Sequence, residues 1–569
     1  MELSLYQNEI IDKVVNGNGN IMIQAYAGCG KTSTLIEIMK AIGADTTKFY
    51  CAFNKDIIND ITKKSVGIEN LKISTIHSLG YSIIKMNNDF NPSVDEFKYH
   101  KELYSNIDKY TEYFYKMSNN EQQKYISNIK HLLIFCRNNL CDGIKGIALT
   151  ANKFGIMPLY DETEVTKKLL KWGKENILTI DYADMVWLPN VLPYRFPSYD
   201  YIFVDEAQDL SIAQQQIVLK CRKISTRYIF CGDKFQSIYA FSGADSQSFD
   251  NLSKTPNTIS MPLPICYRCD DSIVDFAAQI VFGIERNCFG VCGNINFNGK
   301  IENIQDGDMV LCRNNAPLVR LYLNLIAMGK KCHMNGKGCY EDIVELIEGT
   351  SADNIGQSLT NDGIISQLYR QFFKTVEFVC NREMCDIYTA LNNSTCRSLI
   401  DNINTIIILS EGLKTRTELL ERIDKIFNND EKDGISLSTI HKAKGLECNN
   451  VHILCWSLFD INLKRMEKDW EKEQERNLKY VAITRAKHNL SIIDDDDYLK
   501  YSIIMSVSEY ESLKKKIKFS ESATDIDTIK SFIEKNRKKP ITISNIAQNK
   551  TEKVLSMNSV LNKIKKRTK

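Results

Sequence analysis

The sequence predicts an α/β protein with two parallel-sheet domains, each interrupted by a mainly helical insertion. Short apolar runs, typical of strands buried on both faces of a parallel sheet, recur in two separate regions. Each region is broken by a long stretch with helical periodicity and little strand character. The length of 569 residues also requires more than one domain, because single hydrophobic cores stop growing beyond about 250–300 residues.

These patterns divide the chain into five parts. The expected ranges are 1–80 with 196–262 for the first sheet domain, 81–195 for its helical insertion, 263–325 with 433–510 for the second sheet domain, 326–432 for a reduced second insertion and 511–569 for a basic tail. At the end of the first insertion, Asp181 is expected to cap a helix that Pro189 helps to stop.

Charge is distributed unevenly, although the net charge is only +2. Residues 511–569 contain 16 Lys and Arg against 6 Asp and Glu, which suits an accessory contact to nucleic acid or to a partner, or simply a solvated tail. No apolar run approaches the roughly 20 residues of a membrane span, and the N-terminus lacks a signal-peptide pattern. We therefore expect an intracellular protein, in the nucleus or the cytoplasm, with reduced cysteines. Cys266 and Cys269 form a CxxC without a second half, which argues against a zinc site.

A glycine-containing loop lies between a strand and a helix near the N-terminus. The strand Ile21–Ile23 leads into Ala25-Tyr26-Ala27-Gly28-Cys29-Gly30-Lys31-Thr32, and a helical pattern of apolar residues follows. Backbone N–H groups and the positive end of a helix cradle anions in such a loop. Lys31 would reach the β- and γ-phosphates of a bound triphosphate, and the Thr32 hydroxyl would hold Mg²⁺.

Two later strands are expected to carry polar residues to the same edge of the first sheet. The run Tyr201–Val204 delivers Asp205 and Glu206, and the run Tyr228–Cys231 precedes Gln236. Because ligands bind at the carboxyl ends of parallel strands, these residues should share a cleft with the loop. Asp205 is placed to bind Mg²⁺, and Glu206 to orient or deprotonate the attacking water.

Phosphoryl transfer also requires positive charge near the transition state. Arg268 and Arg485 are candidates, because each lies in a strongly patterned segment, although spacing alone is equally compatible with surface arginines. Phe53, Tyr239 and Phe241 follow strand ends and are candidates for base stacking, with packing in the core as the alternative.

Taken together, the motifs of this chain occur in an order that resembles superfamily 1A helicases of the UvrD/Rep/PcrA type. The chain looks most similar to the F-box DNA helicase branch of that family, although we find no F-box in this sequence. The motifs are Gln7, AYAGCGKT at 25–32, AFNK at 52–55, TIHSLG at 75–80, DEAQD at 205–209, GDKFQSIYAFSGA at 232–244, CYRC at 266–269, STIHKAKGLE at 438–447 and QERNLKYVAITRAK at 474–487. The resemblance implies two RecA-like P-loop NTPase domains, each with a mainly helical insertion, and ATP bound between them.

The resemblance also implies roles for individual residues. Gln7 would read adenine, Gln236 would sense the γ-phosphate, and Arg268 would bind it. Glu447 would lie near the ribose, and Arg485 would be the arginine finger. The phosphate loop with its flanks would comprise Ala25, Tyr26, Ala27, Gly28, Cys29, Gly30, Lys31, Thr32 and Ser33. Contacts to DNA would come from Phe53, Asn54, Lys55, Thr75, His77, Tyr239, Phe241, Thr439, His441 and Lys442.

The implied activity is that of an ATP-dependent DNA helicase or translocase in repair, recombination or replication. DEAQD resembles the branch that moves 3′-to-5′ on single-stranded DNA. We expect single-stranded DNA, or duplex DNA with a single-stranded tail, as the partner of a monomer or weak oligomer. Two departures weaken details of the resemblance: Ser242 stands where relatives often have Arg, and the second insertion is short. An RNA-directed helicase and a DNA-bound ATPase that remodels protein filaments are the alternatives.

Overall fold

The computed structural model describes residues 3–519 apart from 53–54, 118, 159, 239–244, 246, 288–289, 336, 357–362, 429–432, 467–468 and 503–504. The chain forms two compact units. The first contains Met1–Tyr340 and Ile426–Asp495, and the second contains Glu341–Lys425 and the chain from Asp496 onward. In the part of the chain described, no helix is both long and apolar enough to cross a membrane.

Strands and helices alternate through most of the first unit. The strands are β1 (Asn20–Ala25), β2 (Lys48–Ala52), β3 (Leu71–Thr75), β4 (Ser93–Val94), β5 (Thr179–Ile180), β6 (Tyr199–Val204), β7 (Arg222–Gly232), β8 (Thr258–Leu263), β9 (Ile265–Cys266), β10 (Glu285–Arg286), β11 (Asn294–Asn296), β12 (Met309–Cys312), β13 (Cys332–Asn335), β14 (Ile435–Thr439), β15 (Cys448–Leu454) and β16 (Ala486–Ile493).

The helices include those of both units. They are α1 (Leu5–Asn16), α2 (Lys31–Ala41), α3 (Lys55–Lys64), α4 (Ile76–Met86), α5 (Lys98–Ser105), α6 (Ile107–Tyr110), α7 (Asn119–Asn138), α8 (Ile144–Lys153), α9 (Glu162–Glu175), α10 (Tyr182–Val191), α11 (Ile212–Lys220), α12 (Ser248–Ser253), α13 (Asp271–Ala278), α14 (Asn315–Ala327), α15 (Lys337–Glu348), α16 (Ile364–Glu383), α17 (Ile387–Asn392), α18 (Ser394–Leu409), α19 (Arg416–Phe427), α20 (Ser457–Arg465), α21 (Asp469–Ile483), α22 (Asp496–Leu499) and α23 (Val507–Phe519).

The first sheet is parallel and contains, among the described residues, strands in the order β3-β2-β6-β7-β1-β8. Its central strands are covered on both faces, which explains their continuous apolar runs. Met22 and Phe230 pack on one face with α4 and α11, and Ile21 and Ile23 pack on the other with α1 and α2. The order places the carboxyl ends of β6, β7 and β1 side by side.

Helices α4 to α10 follow β3 and enclose a core of their own before the chain returns to the sheet at β6. Asp181 caps α10 as predicted, because its side chain accepts from the N–H of Asp184. The prediction that Pro189 helps to stop this helix was wrong, since α10 continues to Val191. Proline removes the donor that would bond the Met185 carbonyl. That carbonyl faces Gly80, where a Cβ would lie only 1.9 Å from its oxygen.

The second sheet is also parallel, with the order β11-β16-β15-β12-β14-β13 in the described residues. Its core joins strand residues such as Leu311 and Ile453 to Val274 of α13 and Val481 of α21. Strand β13 lies within the range 326–432 that we expected to be mostly helical. Only two of its four residues are buried, so its sequence lacks the continuous apolar run by which the other strands were predicted. Tyr26 and Ala27 of the phosphate loop belong to this second core, so the two sheets meet at that loop.

The second unit is mainly helical in its described residues. Tyr510 of α23 packs edge-on against Phe373 of α16, with ring centroids 5.2 Å apart. Leu513 and Ile517 are also buried, so helical structure continues to Phe519, inside the range 511–569 predicted as a tail. Residues 520–569 lie outside the described part of the chain. The domain boundaries themselves stay a prediction.

Candidate nucleotide and nucleic-acid site

The predicted phosphate loop is the connection between β1 and α2. Ala25 ends the strand, and Gly28 and Gly30 adopt left-handed conformations with φ of 67° and 77°. Gly30 caps α2, whose first residues are Lys31, Thr32 and the exposed Ser33. The first N–H groups of a helix lack intrahelical acceptors and carry partial positive charge. The loop therefore has the geometry of an anion cradle.

The segment that follows β9 contacts this loop at Gly28. A Cβ at Gly28 would lie 2.4 Å from the Cβ of Arg268, so no larger residue fits. The Tyr267 N–H donates to the Gly28 carbonyl at 2.9 Å. Tyr26 stacks on Phe235 with centroids 5.8 Å apart, and Cys29 is buried. Arg268 is thus held against the loop by backbone contacts as well as by its position in the motif.

Lys31 and the two predicted carboxylates form a compact charged group. The Lys31 Nζ lies 2.9 Å and 3.1 Å from the two Glu206 carboxylate oxygens. The Asp205 carboxylate accepts from the Tyr50 hydroxyl at 2.7 Å and from the Glu206 N–H at 2.9 Å. Glu206 has a φ of 50°, a left-handed conformation that is costly for a residue other than glycine. The turn after β6 therefore holds the Glu206 carboxylate against Lys31, with Asp205 beside it, at some cost in strain.

The charges in this group shift one another's pKa values. Burial and the neighbouring Glu206 carboxylate raise the pKa of Asp205 to about 6. Burial would also raise the pKa of Glu206, but the charges of Lys31 and Lys444 lower it to about 2. Burial opposes the charge on Lys31, yet Glu206 and Asp205 raise its pKa above the ordinary value. Glu206 is therefore a carboxylate at neutral pH, as a general base must be.

Gln236 lies in the turn after β7, next to this group. Its Nε2 donates to Asp233 at 2.7 Å, and the side chain is 5% exposed. Gln208 connects the turns after β6 and β7, since its Nε2 donates to Glu206 at 2.6 Å and its Oε1 accepts from the Asp233 N–H at 3.0 Å. Gln208 had no role in the sequence interpretation, although it lies within the DEAQD motif.

Two arginines in different environments complete the site: Arg268 follows β9, which pairs with β10, and Arg485 directly precedes β16 of the second sheet. Arg268 pairs with Glu447 at 2.6 Å, and Glu447 also pairs with Lys487 at 2.7 Å. Arg485 is 1% exposed and donates to the carbonyls of Val481 and Leu446 and to the Thr484 hydroxyl. No carboxylate of the described residues lies within ion-pair distance of it. Burial and the charge of Arg268 lower the pKa of Arg485 to about 10. A bound anion would offset that cost.

Gln7 lies beside the first turn of α2. Its Nε2 donates to the Thr34 hydroxyl at 2.9 Å, and its Oε1 accepts from the Ser4 N–H at 2.9 Å in the cap of α1. The structure thus places Gln7 next to the phosphate loop, where a purine ring could follow the phosphates. Its predicted contact with adenine stays a prediction.

Lys444 is a further contact between the sheets that the sequence interpretation missed. It follows β14, and its ammonium group pairs with the Asp209 carboxylate and donates to the Gln236 carbonyl at 2.7 Å. Both acceptors belong to the first sheet. The only signal in the sequence was its place in the STIHKAKGLE motif.

The predicted contacts to nucleic acid fall into two groups at strand ends. Thr75 ends β3 and caps α4 through Ser78, with the half-buried His77 beside it. Thr439 ends β14, followed by His441 and the exposed Lys442. Burial lowers the pKa of His77, and burial with the charges of Arg313 and Lys442 lowers that of His441, so both are neutral at pH 7. Phe53, Asn54, Tyr239 and Phe241 lie outside the described residues, and Lys55 begins α3.

Two family matches cover the segments that build this site. The UvrD/REP helicase N-terminal domain matches residues 6–257, and the UvrD-like helicase C-terminal domain matches residues 434–493. The chain belongs to the UvrD-like helicase family. The predicted resemblance and the predicted fold class are therefore confirmed: two RecA-like α/β domains, each with a mainly helical insertion.

Individual relatives agree with this assignment. The chain is similar to F-box DNA helicase protein 1 of Schizosaccharomyces pombe, with 25% identity over 529 residues, 86% of this chain and 57% of the relative. F-box DNA helicase 1 of Gallus gallus is 23% identical over 560 residues, 88% of this chain and 50% of the relative. ATP-dependent DNA helicase PcrA of Staphylococcus aureus is 25% identical over 426 residues, 55% of this chain and 58% of the relative. The chain thus spans about half the length of these relatives.

Proposed function

We propose that this member of the UvrD-like family is an ATP-dependent DNA helicase that moves 3′-to-5′ along single-stranded DNA and separates duplex. The observation that carries the proposal is Arg485, a buried arginine without a carboxylate partner among the described residues, on the sheet opposite the phosphate loop. A buried positive charge without a carboxylate partner favours an anion that binds to Arg485 and to the phosphate loop at the same time. The names of the relatives, DNA helicases in each case, support DNA as the substrate.

The residues around the loop fit ATP. The loop N–H groups and Lys31 would bind the β- and γ-phosphates, and Arg268 and Arg485 would stabilise charge that develops on the γ-phosphoryl group. Lys31 contacts Glu206 in the structure. Phosphate oxygens would compete for Lys31 and leave Glu206 to accept a proton from the attacking water. Gln236 would orient that water or the phosphate through its amide.

The same residues fit Mg²⁺. Thr32 and Asp205 would hold the ion, which when bound supplies positive charge to the phosphates. Burial and the neighbouring Glu206 carboxylate raise the pKa of Asp205, and a cation bound at Asp205 would oppose both effects. Among the described residues, no three His, Cys, Asp or Glu side chains converge on a metal position. Mg²⁺ at a nucleotide site needs no such cage, because phosphates and water fill most of its coordination.

Movement would follow from the division of the site between two sheets. Nucleotide contacts made by both sheets favour their closure, and hydrolysis removes those contacts. Thr75 and His77 on one sheet and Thr439, His441 and Lys442 on the other would hold the DNA strand while the sheets close and open. The basic segment 511–569 would add a contact to DNA or to a protein partner.

The decisive experiment is unwinding of duplexes that carry either a 3′ or a 5′ single-stranded tail, with ATP and Mg²⁺. We expect unwinding of the 3′-tailed duplex, none of the 5′-tailed duplex, and none of either with Lys31→Ala. Unwinding from 5′ tails alone would contradict the polarity. ATP hydrolysis without unwinding of either duplex would contradict helicase activity and favour a DNA-bound remodelling ATPase.

The nucleic acid preference needs a separate measurement. Stimulation of ATP hydrolysis is compared for single-stranded DNA and RNA of the same sequence and length. We expect DNA to give the larger stimulation at equal concentration. Equal or greater stimulation by RNA would contradict the assignment of DNA as the substrate.

A further inference from the structure

Tyr480 lies between the two halves of the site, and neither the motifs nor the proposed mechanism gave it a role. It belongs to α21 of the second RecA-like domain and is completely buried. Its hydroxyl oxygen accepts from the Ala27 N–H of the phosphate loop at 2.8 Å. The same hydroxyl donates to the Asp233 carboxylate at 3.2 Å. A single hydroxyl thus bonds two separate segments of the first domain.

Asp233 connects this hydroxyl to Gln236. The carboxylate oxygen that accepts from Tyr480 also accepts from the Gln236 Nε2 at 2.7 Å, and the other oxygen accepts from the Phe235 N–H at 3.0 Å. Asp233 has no exposed surface, and burial raises its pKa to about 6, so it is mainly ionised at neutral pH. A continuous series of hydrogen bonds therefore runs from the Ala27 N–H through Tyr480 and Asp233 to Gln236.

Two further residues of α21 bind the same turn. Gln474 donates to the Ile238 carbonyl at 2.8 Å, and Asn477 donates to the Ser237 carbonyl at 3.1 Å. Gln474, Asn477 and Tyr480 are three residues apart and project from one side of the helix. The Tyr480 ring also packs edge-on against Phe235, with centroids 6.4 Å apart. Helix α21 thus fixes the turn that carries Gln236, while Arg485 follows the end of the same helix.

We propose that Tyr480 is a positioning residue, whose hydroxyl aligns the phosphate loop with Gln236 when the two domains come together. The proposal rests on the function proposed above, since it concerns hydrolysis of ATP at this site. Without the hydroxyl, the Ala27 N–H and the Asp233 carboxylate each lose a partner in a buried environment, which makes this arrangement less stable. Gln236 then loses its defined position, although the phosphate loop still binds ATP through Lys31.

Tyr480→Phe tests the proposal, because it keeps the buried ring and removes only the hydroxyl. Tyr125→Phe is the matched control: Tyr125 is also completely buried, and its hydroxyl donates to Asp161 at 2.7 Å in the helical insertion. ATP hydrolysis by the full chain is measured with single-stranded DNA over a range of ATP concentrations. We expect kcat to fall roughly tenfold for Tyr480→Phe with KM for ATP changed less than threefold, and both constants to be unchanged for Tyr125→Phe.

Several results would overturn the proposal. A kcat within twofold of wild type for Tyr480→Phe would do so, and so would a raised KM at unchanged kcat, which indicates a role in binding alone. An equal loss in Tyr125→Phe would show a general effect of losing a buried hydroxyl.

A second variant is needed if circular dichroism shows that Tyr480→Phe does not fold. Asn477→Ala then takes its place, and we expect its kcat to fall roughly threefold at unchanged KM. An unchanged kcat in Asn477→Ala would overturn the proposal. A wild-type chain that does not hydrolyse ATP would overturn the proposed function itself, whereas an active wild type with an equally active Tyr480→Phe overturns only the role of Tyr480.

Discussion

Two buried clusters of charge in the first unit differ in how completely their charges are matched. In the helical insertion, Lys98 and Arg137 face Asp181 and Asp184. The Lys98–Asp184 and Arg137–Asp181 distances are both 2.6 Å, and Tyr99 donates to Asp184 at 2.7 Å. The cluster thus has two cations and two carboxylates, and all four charges are paired with one another.

The proposed nucleotide site has a different balance of charge. Lys31 is paired with Glu206, but Arg485, which is as buried as Arg137, has no carboxylate partner in the described part of the chain. The pKa values reflect this contrast. Despite burial, the neighbouring Asp181 raises the pKa of Arg137 above its ordinary value, whereas burial and Arg268 lower that of Arg485 to about 10. Buried charge by itself does not indicate a ligand site; buried charge without an internal partner does.

The largest expected effect comes from the cation of the nucleotide site. Lys31→Ala should reduce ATP hydrolysis below detection, because the phosphates lose their principal cation and Glu206 its partner. The fold should persist, since the side chains of Lys31 and Glu206 are 14% and 20% exposed, so that water can reach the Glu206 carboxylate. Steady-state hydrolysis is compared with Lys40→Ala, an exposed lysine of the same helix. Turnover near that of wild type in Lys31→Ala would contradict the assignment of the phosphate loop.

The second effect isolates the unpaired arginine. Arg485→Ala should lower kcat by about a thousandfold, as expected for loss of an arginine finger, while ATP binding is retained. Arg476→Ala, an exposed arginine on α21, is the control. Binding of a fluorescent ATP analogue and turnover are measured on the same preparations. An equal loss of binding and turnover would indicate a ground-state or folding role instead.

The third effect tests the charge cluster of the helical insertion, in which all four charges are paired. Arg137→Met should lower the free energy of unfolding by about 3–5 kcal/mol, because Asp181 would keep a buried charge without its cation and Asp184 would keep only Lys98. The kcat of the folded fraction should be unchanged, since the hydrogen bonds and ion pairs of these four side chains, within the described residues, stay inside the helical insertion. Urea unfolding and hydrolysis per folded molecule are measured together. A large loss of kcat with little loss of stability would contradict a purely structural role for the charge cluster of the helical insertion.

The smallest effect concerns a partly exposed pair. Glu447→Gln removes the charge that pairs with Arg268 and Lys487, and its side chain is 37% exposed. Because such pairs contribute at most about 1 kcal/mol, KM for ATP should rise by no more than about fivefold at nearly constant kcat. Glu473→Gln, exposed on α21, provides the comparison. A loss in kcat of a hundredfold would show that Glu447 acts in the chemical step.

The sequence predicted those parts of the site that lie next to a strand end. Lys31, Asp205, Glu206 and Gln236 each follow a buried apolar run, and parallel strands deliver such residues to one edge. The structure brings Lys31 and Glu206 within 2.9 Å and connects Glu206 to the Gln236 turn through Gln208. The strands themselves were predictable for the same reason.

Contacts between the two sheets were not predictable from the sequence. Tyr480 and Ala27 are 453 residues apart, and Lys444 and Asp209 are 235 residues apart, so no local pattern relates them. Pro189 misled because the Met185 carbonyl, which loses its donor to the proline, lies against Gly80 of α4, where there is no Cβ to clash with it. Residues Tyr510, Leu513 and Ile517 have helical spacing that could have revealed α23, but the high charge of the segment favoured a tail.

Hydrogen exchange of backbone amides tests most directly whether one nucleotide contacts both sides of the site. Peptides covering 25–33, 265–269 and 484–487 are followed without nucleotide and with a nonhydrolysable ATP analogue and Mg²⁺. We predict that all three segments gain protection over the same range of analogue concentrations, and that none does in Lys31→Ala. Protection confined to residues 25–33 would contradict a site shared between the two sheets.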